Sequence, residues 1–175
     1  INMNMNEVLA NRALELMGHA KGDYFHCNPN NHVNMSQSTN DAIPTALRIA
    51  AHRLTGQLLD TMEEVRQGFV RKEAEFDDVI KMGRTHLQDA VPIRMGQEFG
   101  AYSKVLARDM GRIRRASEGL LAVNMGATAV GTGLNATPEY IRLVVEHLAG
   151  DLGIPVVSAP DLVDATQNTD AYTEL

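Results

Sequence analysis

Two short polar stretches hold residue types that could do chemistry. Gly83-Arg84-Thr85-His86-Leu87-Gln88-Asp89-Ala90-Val91-Pro92 sets a hydroxyl, an imidazole, an amide and a carboxylate close together. It reads as a polar loop between two helix-patterned segments, and loops held by rigid helices are where binding and catalytic groups concentrate. Ser36-Gln37-Ser38-Thr39-Asn40-Asp41 stands immediately before a long helical pattern. Ser38, Thr39 and Asn40 would then sit at a helix N-terminus, where free N–H groups and the helix dipole favour an anion. Two hydroxyls and an amide add neutral donors. That chemistry suits a carboxylate or a phosphate. The same residues also make ordinary helix caps, and Thr85-His86 could belong to a plain connection in which His86 caps a helix. Residue type and spacing alone leave both pairs of readings open.

Long helices must position these stretches. The first is expected over residues 42–76, with Pro44 in its first turn, where the missing N–H costs nothing. Ile43, Leu47, Ala50, Leu54, Leu58, Met62, Val65, Phe69 and Phe76 recur along it at helical steps. Such a helix spans on the order of 50 Å and needs neighbours of similar length, which predicts a bundle. A second long helix is expected over 95–123, with Met95, Phe99, Tyr102, Leu106, Ile113, Ser117 and Leu120 on one stripe. Gly96, Gly100, Gly111 and Gly119 fall within it, each costing about 1 kcal/mol relative to Ala. They are expected to permit close helix approach within an assembly.

Shorter elements complete the pattern. A helix over 7–17 would stop at Gly18, with Asn2, Asn4 and Asn6 as candidate caps. Residues 19–37 lack periodicity and read as loop. Its His26, Cys27 and His32 match no metal-ligand spacing and are expected to be solvated or structurally bonded. Residues 78–82 alternate as a short strand or extended lead-in. Asn124 to Asn135 is glycine-rich, but no Gly-Lys-Ser/Thr closes it as a phosphate loop and no strand–helix crossover with a distal acid frames it as a dinucleotide site. Thr137-Pro138 should start a helix that stops at Gly150, residues 154–157 are extended, and Pro160-Asp161 should open another helix. The fold class expected is mainly α, with short strands and loops.

Composition narrows the function classes. The chain has 175 residues and a net charge of −6 with the charges interspersed, so nothing suggests a nucleic-acid or membrane-surface partner. The apolar runs are too short to span a bilayer. A single cysteine, Cys27, excludes an internal disulfide framework and a cysteine zinc cluster, and it fits a reducing cytoplasm. The ends predict an internal piece of a longer chain. Ile1 is not an initiator Met, and Tyr172-Thr173-Glu174-Leu175 reads as part of a helix.

Four motifs, in order, resemble the aspartase/fumarase superfamily. They are Asn4-Met5-Asn6-Glu7-Val8-Leu9-Ala10-Asn11, Ser36 to Asp41, Gly83 to Asp89, and Gly131-Thr132-Gly133-Leu134-Asn135. Together they extend over nearly the whole chain. Within the superfamily the likeness leans to the aspartase branch. Ser38-Thr39-Asn40 carries Thr where class II fumarases usually have Ser, Gly126-Ala127-Thr128 replaces a fumarase-like Gly-Gly-Thr, and Asn28 stands where fumarases tend to have His.

The resemblance implies a long-helix bundle in which residues 1–40 end an N-terminal domain and residues 41–175 open the central helical domain. It implies reversible elimination of ammonia from L-aspartate to give fumarate, with no metal or organic cofactor. A class II fumarase is the alternative enzyme, and a helical scaffold without catalysis is the alternative of another class. By the resemblance, Ser38 and Thr39 would bind the β-carboxylate, Asn40 and His86 the amino group, and Thr85 the other carboxylate, with His86 as the catalytic candidate. The family's base, a Ser on a Gly-Ser-Ser-x-x-Pro-x-Lys-x-Asn loop, has no counterpart in these residues. Family members are tetramers whose active sites collect segments from three subunits. The 175-residue piece is therefore expected to be inactive alone.

Overall fold

The computed structural model describes all 175 residues. Helix α1 spans Asn2–Leu16, a π-helical turn covers Pro29–Val33, and helix α2 runs Thr39–Glu75. Strands β1 (Ile80–Thr85) and β2 (Gln88–Arg94) precede helix α3 (Met95–Glu118). A 3-10 turn at Gly119–Leu121 leads to β3 (Ala122–Val123), α4 (Pro138–Leu152), β4 (Val157–Ser158), α5 (Leu162–Gln167) and α6 (Asp170–Thr173). The expected mainly-α architecture is what the chain adopts. None of its helices is long and apolar enough to cross a membrane. Two compact units divide the residues: Ile1–Ala51 with Gly119–Glu174, and His52–Glu118.

In the first unit the core is Val123, Met125, Val145, Ile154 and Val156, flanked by Ala42, Ile49, Val144 and Leu148. The parallel β3–β4 pair, Ala122 with Val157 and Val123 with Ser158, ties the strand after the 3-10 turn to the extended segment after α4. Thr137 caps α4 by accepting from the Tyr140 N–H, and Pro138 occupies the first helical position as expected. The stop is Gly153 rather than Gly150: Gly153 holds φ of 62°, while Gly150 lies inside the helix.

Helix α1 begins earlier than expected. Its N-cap is Ile1, without a side-chain capping bond, and Asn2 and Asn6 are buried within the helix. Their amides both donate to Asn34 Oδ1, at 3.3 and 2.9 Å, so they fasten α1 to the following loop instead of capping it. Gly18, at φ of 81°, does end the helix, with its own N–H and that of His19 returning to Glu15 and Leu14.

In the second unit the C-terminal half of α2 runs antiparallel to α3. Phe69, Phe76, Phe99 and Tyr102 form an aromatic cluster between them, with ring centroids 5.6 to 6.3 Å apart. Further along, His52 Nδ1 lies 3.3 Å from the Ser117 carbonyl. Gly96 and Gly100 permit this approach of the two helices within the chain. A Cβ on Gly96 would lie 2.9 Å from Asp77 Cα, and one on Gly100 would overlap the Glu73 carboxylate. Gly111 meets only the Arg115 side chain. Helix α3 ends at Glu118, short of the expected 123, because the chain tightens into the 3-10 turn and then extends as β3. Leu54, Leu58 and Val65 on α2 are about half exposed, so part of its apolar stripe is uncovered in the chain.

Candidate active site

Helix α2 starts at Thr39, three residues before the expected boundary, and this places Pro44 in the helix interior. A proline there removes the N–H that would bond the carbonyl four residues earlier. That carbonyl belongs to Asn40, and it receives the Asn124 side-chain amide instead, at 3.0 Å. Asn124 is fully buried and also donates to Thr166 Oγ1 at 3.0 Å, while its Oδ1 faces Thr45 Oγ1 at 3.4 Å. The proline thus opens a gap in the helix ladder, and a residue 84 positions away fills it.

Ser38 is the N-cap of α2. Its Oγ accepts from the Asn40 N–H at 3.2 Å, and its own N–H donates to Asp41 Oδ1 at 2.9 Å, a capping box with Asp at its third position. With its oxygen engaged as acceptor, the Ser38 hydroxyl keeps its proton to donate. Thr39 and Asn40 are exposed. Asn40 Nδ2 donates to the Ala129 carbonyl at 2.8 Å. A carbonyl can only accept, so this contact fixes the amide orientation and leaves Oδ1 free to accept from a cationic donor.

Asp41 organises the arrangement. It is fully buried. Besides Ser38, its carboxylate accepts from the N–H groups of Gly126 at 3.2 Å and Thr128 at 3.0 Å. A carboxylate receiving several backbone N–H bonds is stabilised without a countercharge. The glycine-rich stretch makes the tight turns expected of it. Gly126 and Gly131 have φ of 94° and 96°, and a Cβ on Gly131 would come within 2.6 Å of the Val163 N atom. Thr128 also adopts a left-handed φ of 58°. Burial and, next, the Asp41 carboxylate push the Tyr140 phenol up, with the nearby Gln37 side chain opposing; the hydroxyl itself has no hydrogen-bond partner.

Thr85 and His86 belong to the other unit. Gly83–Pro92 is not a loop but most of a β-hairpin. Ile80 pairs with Arg94, Arg84 with Asp89 and Thr85 with Gln88, and a bulge falls between Met82 and Arg84. Gly83 sits at the bulge, where a Cβ would lie 2.8 Å from the Val91 carbonyl. His86 and Leu87 form the two-residue turn, with φ of 50° and 60°. Two left-handed positions give the twist that closes a tight hairpin, usually supplied by Asn-Gly. The turn exposes His86 fully enough to reach a partner, and Leu87 is 98% exposed. Arg84 Nε donates to Asp89 Oδ1 at 3.1 Å across the hairpin.

The structure therefore gathers Ser38, Thr39 and Asn40 with the glycine-rich turn in one unit and carries Thr85 and His86 on a hairpin tip in the other. Asp41 and Asn124 were not among the expected site residues. The capping-box spacing of Ser38 and Asp41 was the available signal for the first. Asn124 had none, because its partners lie far away in sequence. Of the loop histidines, His32 is structurally bonded as expected: its Nδ1 accepts from the Asn28 N–H at 2.9 Å.

Comparison with known proteins agrees with the motifs. The chain is 66% identical over 175 residues to an aspartate ammonia-lyase of Bacillus subtilis (strain 168), covering 100% of this chain and 37% of that protein. It is 55% identical over 172 residues to an aspartate ammonia-lyase of Escherichia coli (strain K12), covering 98% of this chain and 36% of the relative. Among solved structures, a fumarate lyase:delta crystallin from Brucella melitensis bound to cobalt matches with TM-score 0.95 and 44% identity over 98% of this chain and 37% of its own. A class II fumarase from Schistosoma mansoni matches with TM-score 0.87 and 33% identity over 99% of this chain and 40% of its own. The chain thus spans little more than a third of the length of the relatives it matches. The family described as "Lyase" matches all of residues 1–175, and the chain belongs to that lyase family.

Proposed function

We propose that the protein containing this chain is an aspartate ammonia-lyase, converting L-aspartate reversibly to fumarate and ammonia. The observation that carries this reading is the 66% identity to an aspartate ammonia-lyase across every residue of the chain. A base removes a proton from the carbon beside the β-carboxylate, charge builds on that carboxylate, and ammonia leaves. Such a C–H is weakly acidic, so donors aimed at the developing charge carry much of the catalysis. Ser38 and Thr39 are assigned to the β-carboxylate, Thr85 to the second carboxylate, and Asn40 and His86 to the amino group. The Ser38 hydroxyl proton and the outward Asn40 Oδ1 support those polarities. His86 orients the leaving ammonia and takes part in its proton transfer.

A homotetramer with shared sites is part of the proposal. The half-exposed Leu54, Leu58 and Val65 face of α2 supports it, since a long apolar helix face needs a partner. The working compartment proposed is the cytoplasm. The 175 residues alone are proposed to be inactive, because the base is supplied by another segment.

Absorbance assays on the longest natural form of the protein test the reading. Fumarate produced from L-aspartate, and none from L-malate, is the expected result. Production from malate alone would replace the assignment with a fumarase, and production from neither would replace it with a non-catalytic scaffold.

A further inference from the structure

The loop after α1 brings three ligating groups to one point. Asp23 Oδ2 lies 3.8 Å from His19 Nδ1 and 3.8 Å from His26 Nε2. One donor atom from each of the three residues falls within a sphere in which all lie within 4.8 Å of one another. These separations are too long for hydrogen bonds, which need about 2.7–3.2 Å for nitrogen and oxygen. They approach instead the spacing of neighbouring ligands around a small tetrahedral cation, about 3.3 Å when each ligand sits about 2.0 Å from the ion. Both imidazoles approach Asp23 Oδ2; the rings are stacked, with centroids 3.8 Å apart and planes inclined by 17°, so a turn of one ring about its side-chain bonds is needed to aim both in-plane lone pairs at one ion.

The backbone carrying these groups is fixed by other bonds. Gly22 turns the chain at φ of 84°, and its N–H donates to Asn11 Oδ1 on α1 at 2.8 Å. Asn11 Nδ2 in turn donates to the Tyr24 hydroxyl at 3.2 Å. The Asp23 N–H returns to the Ala20 carbonyl and the His26 N–H to the Asp23 carbonyl. The adjacent cation, Lys21, is held by Glu15 at 2.9 Å, so Asp23 has no ammonium or guanidinium partner and only the two imidazoles beside it. The three side chains are 35 to 43% exposed, open enough for an ion to enter.

The geometry points to a divalent transition-metal site formed by His19, Asp23 and His26, of the Zn2+ type. Two imidazole nitrogens and one carboxylate oxygen suit a borderline-soft d-block ion, with water completing the tetrahedron. Mg2+ and Ca2+ prefer shells of oxygen ligands and should bind more weakly here. Bound metal clamps residues 19–26 into a chelate ring at the end of α1.

Isothermal titration with Zn2+ alone, on the longest natural form of the protein, tests the site. One equivalent should bind per chain, and Mg2+ should give no heat. His19→Ala, His26→Ala and the volume-preserving His26→Gln should each weaken binding at least tenfold, with unchanged circular dichroism because the side chains are partly exposed. Cys27→Ser and His32→Ala should leave it unchanged. Absence of Zn2+ binding, full retention in the His26 variants, or loss on Cys27→Ser would each overturn the assignment. The loop's binding is read by heat, not turnover, so its failure is distinct from failure of the proposed reaction.

Discussion

The start of α2 and the tip of the β1–β2 hairpin supply the two sets of assigned residues, and they are built in opposite ways. Around Asp41 the backbone polar groups are collected by one buried carboxylate, and Asn124 fills the gap left by Pro44. At the hairpin tip, His86 and Leu87 sit in left-handed backbone conformations, exposed, and neither side chain meets a hydrogen-bonding partner. The first region holds its donors in place before any ligand arrives. The second stores backbone strain of about 1–3 kcal/mol per residue, offset by the pairing of the flanking strands. In the proposed reaction, rigid donors for the charge that develops and a presented imidazole for the leaving group are different tasks, and the two constructions suit them.

The contrast should break most sharply at Asp41. Asp41→Ala leaves the N–H groups of Ser38, Gly126 and Thr128 without their acceptor, and each unmade buried bond costs about 1–3 kcal/mol. A loss of roughly 3 kcal/mol or more in urea unfolding is expected, whereas Asp41→Asn, which keeps one acceptor oxygen, should lose less. His86→Ala should do the reverse. Unfolding should shift by no more than about 0.5 kcal/mol, while kcat/KM for aspartate in the whole protein falls by roughly 10² to 10⁴.

Leu87→Gly sharpens the comparison further. Glycine accepts a left-handed φ without penalty, so the hairpin should gain about 1 kcal/mol of stability. Unchanged or reduced stability would show that the turn is not strained.

The smallest effect expected is at Tyr140. Folding favours its neutral phenol, so its contribution is present below the ordinary value of 10.0 and is lost as pH rises through the raised one. Alkaline unfolding should therefore steepen above that ordinary value, and Tyr140→Phe should flatten it.

Much of this fold was legible in the residues. The spacing of Leu47, Leu54, Leu58 and Val65 predicts α2, Thr137-Pro138 predicts the start of α4, and the glycines from Gly126 to Gly133 predict tight turns. The hairpin was not legible as a hairpin. Its turn is His-Leu rather than Asn-Gly, and the bulge at Gly83 breaks the alternation that marks a strand. Helix α1 extends further towards its N-terminus than its pattern predicts, because asparagine favours caps in general, while Asn2 and Asn6 have a tertiary partner in Asn34. The candidate site was half legible. Ser38, Thr39, Asn40, Thr85 and His86 stand out by type, but Asp41 reaches partners 85 and 87 positions away, which no local pattern displays.

The assignment of Ser38 to the developing charge is tested by the kinetics of Ser38→Ala in the longest natural form of the protein. A donor aimed at charge that appears only in the transition state lowers kcat when removed. A fall in kcat for L-aspartate of at least tenfold is expected, with a smaller change in KM and preserved circular dichroism. An unchanged kcat, with or without a rise in KM, would contradict it, because Ser38 would then bind substrate without stabilising the charge that forms.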